Sequence, residues 1–147
     1  MDLESGRELA ADPSGLAAAL EVLGDRWTLL LVAALLPGPL RFTDLRRAVP
    51  GIASNVLTER LRRLEAAGLL ESRPYSSRPW RAEYRLAPSG ASLAPTIQEL
   101  ERWAGASRGG LAPVHRSCGA PLESRWYCPE CEEVVAVPVA DEEVVDV

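Results

Sequence analysis

Apolar residues recur at intervals of three and four along the first part of the chain, which is the spacing of one helix face. Leu16–Leu23 has this pattern after Asp12-Pro13, a pair typical of helix starts, and Gly24 can end the helix. A second helix is predicted over about Asp25–Leu36, before the strong stop at Pro37–Pro39. Its predicted core-facing stripe consists of Trp27, Leu30, Leu31, Ala34 and Leu35.

Two shorter helices joined by a tight turn follow. The first runs to Ala48 and can be capped by Thr43, and the second reaches about Ala67 and can be capped by Ser54. Pro50-Gly51 makes the turn between them. This order of elements is that of a helix-turn-helix.

The next segment predicts a hairpin and a last helix. Leu69–Tyr75 and Ala82–Leu86 alternate between apolar and polar residues, as the two strands of a hairpin do. An amphipathic helix is predicted over Ser89–Trp103, in which Pro95 marks either a kink or the true beginning. The predicted fold class is α+β, mostly α: a winged helix-turn-helix with a small C-terminal module.

The helix predicted from Ser54 has one apolar and one polar face. At 100° per residue its leucines gather on one side, and Asn55, Thr58 and Arg62 gather on the other. Asparagine can read base edges, threonine offers a small hydroxyl, and arginine can grip guanine or phosphate. Taken alone, such a face is more often simply solvated.

The distribution of charge favours DNA contact by the middle of the chain. The net charge is −5, but residues 40–85 hold ten arginines against five acidic residues, whereas residues 109–147 hold two against eight. Arginines at the hairpin tip can reach phosphates or the minor groove. The predicted DNA-contacting residues are Arg41, Thr43, Ser54, Asn55, Thr58, Arg62, Arg78 and Arg81.

Four potential metal ligands form two pairs near the end of the chain, His115-x2-Cys118 and Cys128-x2-Cys131, with nine residues between the pairs. Tetrahedral Cys₃His ligation suits Zn²⁺, and a closed set of four protein ligands is structural, not catalytic. We therefore predict one structural zinc ion per chain in a zinc-ribbon-like module. Free thiols and a redox-active Cys-x-x-Cys pair are the alternatives.

These patterns predict the organisation of the chain. A DNA-binding and dimerisation domain is expected over residues 10–104, a linker over 105–114, the zinc-ribbon-like module over 115–139 and an acidic tail over 140–147. The N-terminus lacks the apolar core of a signal peptide. The longest apolar run, Leu29–Leu36, is far shorter than the ~20 residues of a membrane span. A cytoplasmic protein without a membrane partner is expected.

Several short motifs occur in a specific order between Leu20 and Trp103. They are Leu23-Gly-Asp-Arg-Trp-Thr-Leu-Leu, Phe42-Thr-Asp-Leu-Arg, Pro50-Gly-Ile, Val56-Leu-Thr-Glu-Arg-Leu-Arg-Arg-Leu-Glu-Ala-Ala-Gly-Leu, Pro79-Trp-Arg-Ala-Glu-Tyr-Arg-Leu and Ser89-Gly. By these motifs the sequence resembles the HxlR family of winged-helix transcriptional regulators, which is similar to the MarR-type regulators. Each motif is modest, but their order and spacing together are specific.

The resemblance implies a homodimer joined largely by its terminal helices and bound to a pseudo-palindromic operator. Some members of the family sense oxidants or electrophiles through a cysteine ahead of the first helix. Ser14 stands at that position here, so thiol sensing by that route is not expected. The usual serine at the start of the reading helix is Ala53, which leaves Ser54 as the expected cap. Trp27 matches a family position, and we interpret it as a core residue.

The leading hypothesis is a homodimeric, sequence-specific DNA-binding transcriptional regulator with a structural zinc site and an unknown small-molecule effector. The alternative is a protein-interaction adaptor that uses the winged helix as a scaffold and the zinc ribbon to dock a partner. An enzyme is not expected, because the single histidine belongs to the metal cluster and no nucleophile motif or paired carboxylates stand out.

Overall fold

The computed structural model describes residues 13–107 and 114–136, with side chains for 15–105 and 114–136. The helices and strands of these residues are α1 (Pro13–Leu23), α2 (Thr28–Leu35), β1 (Leu40–Arg41), α3 (Phe42–Ala48), α4 (Ser54–Ala66), β2 (Leu70–Ser77), β3 (Trp80–Leu86), α5 (Pro88–Ala91), α6 (Ala94–Ser107), β4 (Trp126–Cys128) and β5 (Glu133–Val135). The α+β class and the order of helices and hairpin confirm the predicted winged helix-turn-helix.

The wing is an antiparallel sheet with the strand order β1-β3-β2. Leu40 of β1 lies opposite Tyr84, and Leu70 of β2 lies opposite Leu86. The hairpin strands extend further than the sequence predicted, because pairing continues to Ser77 and Trp80. The register shifts at Tyr75, which is an extra residue in β2 and turns that strand's side chains locally.

The buried core joins α2, α3 and α4 to the inner side of this sheet. The core stripe of α2 differs from the predicted one, because the helix buries Thr28, Val32 and Leu35 with Leu31 and leaves Leu30 47% exposed. The buried positions are still spaced by three and four, but the stripe is rotated by about one residue. Seven of the eight residues of α2 are aliphatic, so the sequence pattern alone does not fix that rotation.

Helix α4 is held by its apolar face, as the sequence predicted. Leu57, Leu61 and Leu64 are buried, Val56 packs against the core from its edge, and Ala67 lies exposed beyond the end of the helix. The next residue, Gly68, has a φ of 72°, a left-handed conformation that glycine adopts without strain and that ends the helix.

The predicted caps of α3 and α4 are wrong. The capping positions are Arg41 and Ala53, and neither makes a side-chain capping bond. Thr43 and Ser54 lie inside the first turns of their helices, where the backbone is already helical. Ser54 instead accepts a hydrogen bond of 3.0 Å from Arg46 Nη1, which ties α3 to the start of α4.

The last predicted helix consists of two helices, α5 and α6. Pro95 lies in the first turn of α6, where its missing N–H leaves no helical bond unmade, so it marks a beginning rather than a kink. Gly90 of α5 lies against the backbone of Leu69, and a Cβ there would come within 2.0 Å of the Leu69 carbonyl oxygen. This contact requires glycine and fixes the end of the wing on α5.

The segment after residue 113 contains one strand pair, in which Trp126 lies opposite Val135, and an isolated antiparallel bridge between Val114 and Pro121. Helix α6 continues to Ser107, into the predicted linker over 105–114.

Three predicted parts of the chain lie outside the described residues: residues 108–113 of the linker, residues 137–139 of the module and the tail over 140–147. Among the described residues, no helix is both long and apolar enough to cross a membrane.

Candidate nucleic-acid interface

The outer face of α4 and the wing enclose a cleft of about 790 Å³. Five of the eight predicted DNA-contacting residues line it, and they come from β1, α3, α4 and β3: Arg41, Thr43, Thr58, Arg62 and Arg81. Ser54 and Asn55 are exposed in the first turn of α4, and Arg78 is exposed at the tip of the wing. The fold thus brings residues from positions 41 to 81 of the chain to one surface.

The polar residues of α4 differ in whether their side chains have hydrogen-bond or ion-pair partners within the protein. Thr58 Oγ1 donates a 2.9 Å hydrogen bond to the Ser54 carbonyl, and Ser54 Oγ is held by Arg46. Within the described part of the chain, Asn55 and Arg62 have no hydrogen-bond or ion-pair partner. Asparagine and arginine both make bidentate contacts with base edges. These two side chains therefore have their hydrogen-bonding groups available for an external partner.

The wing adds aromatic rings that are not among the residues predicted to contact DNA. Tyr75 and Trp80 are about half exposed and line the cleft, and Tyr84 forms its inner wall. The guanidinium of Arg41 lies 5.0 Å from the centre of the Tyr75 ring, a cation–π distance. The period-2 spacing of Trp80 and Tyr84 was the available signal, since both must face the same side of β3.

One acidic residue lies among the arginines of the cleft. Glu65 of α4 accepts hydrogen bonds from the backbone N–H and the hydroxyl of Ser72, at 3.2 and 2.6 Å, and so joins α4 to β2. Burial raises the pKa of Tyr84, and Glu65 raises it further while Arg62 opposes the change. The phenol therefore stays protonated and can donate a hydrogen bond into the cleft.

The four predicted metal ligands lie in two pairs. His115 Nδ1 is 3.2 Å from Cys118 Sγ, and the three cysteines are free of disulfides. Hydrogen bonds from the backbone N–H of Cys131, from its thiol and from the backbone of Glu130 lower the pKa of the Cys128 thiol. Among residues 13–107 and 114–136, no three potential ligands lie close enough together to hold one ion.

Residues 22–109, which include the whole of the cleft, match the family model described as HxlR-like helix-turn-helix. The chain belongs to the HxlR family. It is therefore a transcriptional regulator with a helix-turn-helix DNA-binding fold, in a family of regulators rather than enzymes.

An uncharacterised HTH-type transcriptional regulator of Mycobacterium tuberculosis is 39% identical to this HxlR protein over 130 residues, covering 84% of this chain and 82% of the relative. An alignment that covers 84% of 147 residues must extend beyond residue 109, even if it begins at residue 1. The similarity to this relative therefore includes part of the C-terminal segment.

Solved structures of similar fold include a MarR-family regulator from Porphyromonas gingivalis, with a TM-score of 0.60 and 28% identity, which covers 67% of this chain and 96% of that one. The redox regulator HypR in its reduced form has a TM-score of 0.60 and 32% identity. That alignment covers 64% of this chain and 93% of the HypR chain.

An ion pair joins Asp25, which lies in the family motif that begins at Leu23, to Arg60 of helix α4. Asp25 Oδ1 accepts hydrogen bonds from the backbone N–H groups of Trp27 and Thr28, at 2.9 and 3.1 Å, and the Thr28 hydroxyl donates to Oδ2. Arg60 Nε of α4 lies 3.1 Å from the same carboxylate, and both side chains are largely buried. No sequence pattern predicted this pair, because its members are 35 residues apart.

The pair has a consequence for stability. Burial would raise the pKa of Asp25, but hydrogen bonds from Thr28 and Trp27 and the charge of Arg60 lower it below the ordinary value of 3.8. A carboxyl group whose pKa is lowered in the native state stabilises the fold above its unfolded pKa, and that contribution is lost as the pH falls through the native value.

We expect Asp25→Asn to lower the free energy of unfolding at pH 7 by about 1–3 kcal/mol, since a charge-assisted set of hydrogen bonds is removed. The difference from the wild type should stay constant above pH 4 to 5 and shrink as the pH falls below 3.8. Urea unfolding between pH 3 and 7 measures it. Asp44→Asn, which removes an exposed pair of 3.7 Å with Arg47, is the control and should cost less than about 1 kcal/mol. Equal effects of the two variants would contradict the assignment.

Proposed function

We propose that this HxlR protein is a sequence-specific regulator that binds a pseudo-palindromic operator as a homodimer and keeps one structural zinc ion per chain. The observation that carries the DNA-binding part is the cleft between α4 and the wing, which is lined by five of the eight predicted contact residues. In a winged helix, the reading helix lies in the major groove while the hairpin reaches the neighbouring backbone.

The side chains divide between base reading and backbone contact. Asn55 and Arg62 extend from α4 without competing partners, so they are the proposed base readers. Arg78 and Arg81 extend from the wing and are the proposed phosphate contacts. Thr58 and Ser54 are already engaged within the protein, so we assign them a smaller part in reading bases.

Exposed apolar side chains on the terminal helices support a homodimer. Leu16 and Leu20 are 66% and 53% exposed on one side of α1, and Leu100 and Trp103 are 46% and 70% exposed on α6. Large apolar residues grouped in this way mark an interaction surface. A symmetric pair of chains would place two α4 helices on one duplex, about one helical turn apart.

Arg62→Ala is expected to weaken operator binding by about 1–3 kcal/mol and to relax base preference at one position of each half-site. Arg85→Ala is the matched control, because Arg85 is paired with Glu71 at 2.8 Å and alternates with Tyr84 on the other side of β3. Binding to a panel of operator variants measures both. Unchanged affinity and preference in Arg62→Ala would remove this residue from the reading face.

The wing arginines should act differently from Arg62. Replacing Arg78 and Arg81 by Ala is expected to weaken binding to all sequences alike, and to reduce the slope of log K against log salt by about one for each phosphate that is no longer neutralised. Titrations of operator DNA at several salt concentrations measure the slope. An unchanged slope would place the wing away from the phosphates, and no binding to DNA by the wild type would favour the adaptor hypothesis.

Leu20→Glu is expected to convert the dimer to a monomer, because a carboxylate would be buried in the apolar contact. Sedimentation velocity measures the mass, and binding to a full operator should weaken towards that of a half-site. Ala18→Glu is the control, since residue 18 lies opposite Leu16 and Leu20 on the α1 wheel. A Leu20→Glu protein that remains dimeric would place the dimer contact elsewhere.

A further inference from the structure

The C-terminal segment contains two turns built on the same plan. Each turn starts at one potential ligand and reaches the second three residues later, at Cys118 in the first turn and at Cys131 in the second. The residue directly after each second ligand has a left-handed backbone, with a φ of 72° at Gly119 and 56° at Glu132. A non-glycine residue such as Glu132 adopts this conformation only where the surrounding turn requires it.

Each turn also lies at the tip of a pair of extended segments. The first is closed by the bridge between Val114 and Pro121 and by a 2.7 Å hydrogen bond from the Gly119 N–H to the His115 carbonyl. The second joins β4 to β5, which pair from Trp126 to Cys128. The two turns are therefore related by structure as well as by spacing.

The two ligands of the first turn are in contact with each other, whereas no three of the four ligands lie together among the described residues. The His115 ring nitrogen and the Cys118 sulfur are 3.2 Å apart. In the second turn Cys128 is the last residue of β4, where it lies opposite Glu133 of β5.

This segment lacks a core that would keep these turns in place. Every residue from 114 to 136 is exposed except the half-buried Cys128, and Trp126, Tyr127 and Val134 are each more than half exposed. A unit of this size does not bury enough apolar surface to stabilise a fold, and such units usually depend on a disulfide or a metal. All three cysteines are free of disulfides.

We propose that the two turns together bind one Zn²⁺ through His115, Cys118, Cys128 and Cys131, and that this ion replaces the missing core of the segment. The donors are those that zinc prefers, and the closed set leaves no position for catalysis. Binding releases up to three thiol protons, and the ion with three thiolates has a net charge of −1. Because no three ligands converge among the described residues, the ion must draw the two turns together.

The proposal names the ligands of the zinc ion in the proposed regulator, and it does not depend on DNA binding by α4. Full-length protein purified without added metal is expected to contain about one zinc ion per chain by elemental analysis. Replacing that zinc by Co²⁺ should give the absorption bands of thiolate-to-cobalt charge transfer. Denatured protein should show three titratable thiols, as the sequence contains three cysteines.

Variants separate the ligands from their neighbours. Cys118→Ser and Cys128→Ser are expected to lose the ion, and His115→Ala to weaken zinc binding by more than the roughly 10–100-fold typical of changes outside the ligand set. His115→Cys should keep it, because a Cys₄ set also binds zinc. Ser117→Ala is the control, since the Ser117 hydroxyl is only 3.1 Å from the His115 ring but is not a proposed ligand.

Each result decides the proposal. Full zinc content in Cys118→Ser, or half an ion per chain in the wild type, would overturn a site formed within one chain. One free thiol and no metal would also overturn the proposal, because two of the three cysteines would then be joined in a disulfide. Operator binding is measured on the same variants. A variant that lacks zinc but still binds DNA would support the regulator function independently of the zinc site. A wild-type protein that contains zinc but binds no DNA would support the zinc site and contradict the proposed DNA binding.

Discussion

The burial of one face of α4 is the constraint on which the rest of the interface depends. Leu57, Leu61 and Leu64 lie inside the core, and this fixes the rotation of the helix about its axis. Asn55 and Arg62 must then point outwards, because they lie on the opposite side of a 3.6-residue turn. Each buried leucine adds about 1.5–3 kcal/mol to that preference. The outward orientation of this polar face is therefore a consequence of hydrophobic packing rather than of any contact made by the polar residues themselves.

Packing fixes the rotation of α4, and polar contacts fix its ends and its sides. Arg46 holds Ser54 at the start of the helix, Asp25 holds Arg60 from behind, and Glu65 holds the wing through Ser72. Hydrogen bonds to charged groups are directional, and the largely buried ion pair with Asp25 holds Arg60 at a fixed place, so these contacts restrict tilt and sliding that apolar contacts permit. The backbone of α4 is consequently tied to α3, to the Asp25 segment and to β2 by contacts within the protein. A preformed surface loses less conformational entropy on binding.

The C-terminal segment represents the opposite case. Its side chains are exposed, and its two turns are defined by backbone conformation at Gly119 and Glu132 rather than by burial. A metal ion would supply by coordination what α4 obtains from leucine packing. Its acidic composition also separates it from the arginine-rich cleft, since phosphate repels carboxylates. The regulator thus combines a part that folds around a core with a part that, in the zinc proposal, depends on a ligand.

Local spacing determined much of this protein. The helices and the apolar face of α4 follow from apolar residues three and four positions apart, the hairpin strands follow from alternation, and the contact of His115 with Cys118 follows from a spacing that a tight turn brings together. Tertiary structure alone decided which side of the almost wholly aliphatic α2 is buried, and that Thr43 and Ser54 are not caps. It also decided the Asp25–Arg60 pair and the bulge that brings Tyr75 to Arg41. Such contacts join distant parts of the chain, and their geometry depends on how whole elements pack, which no local pattern encodes.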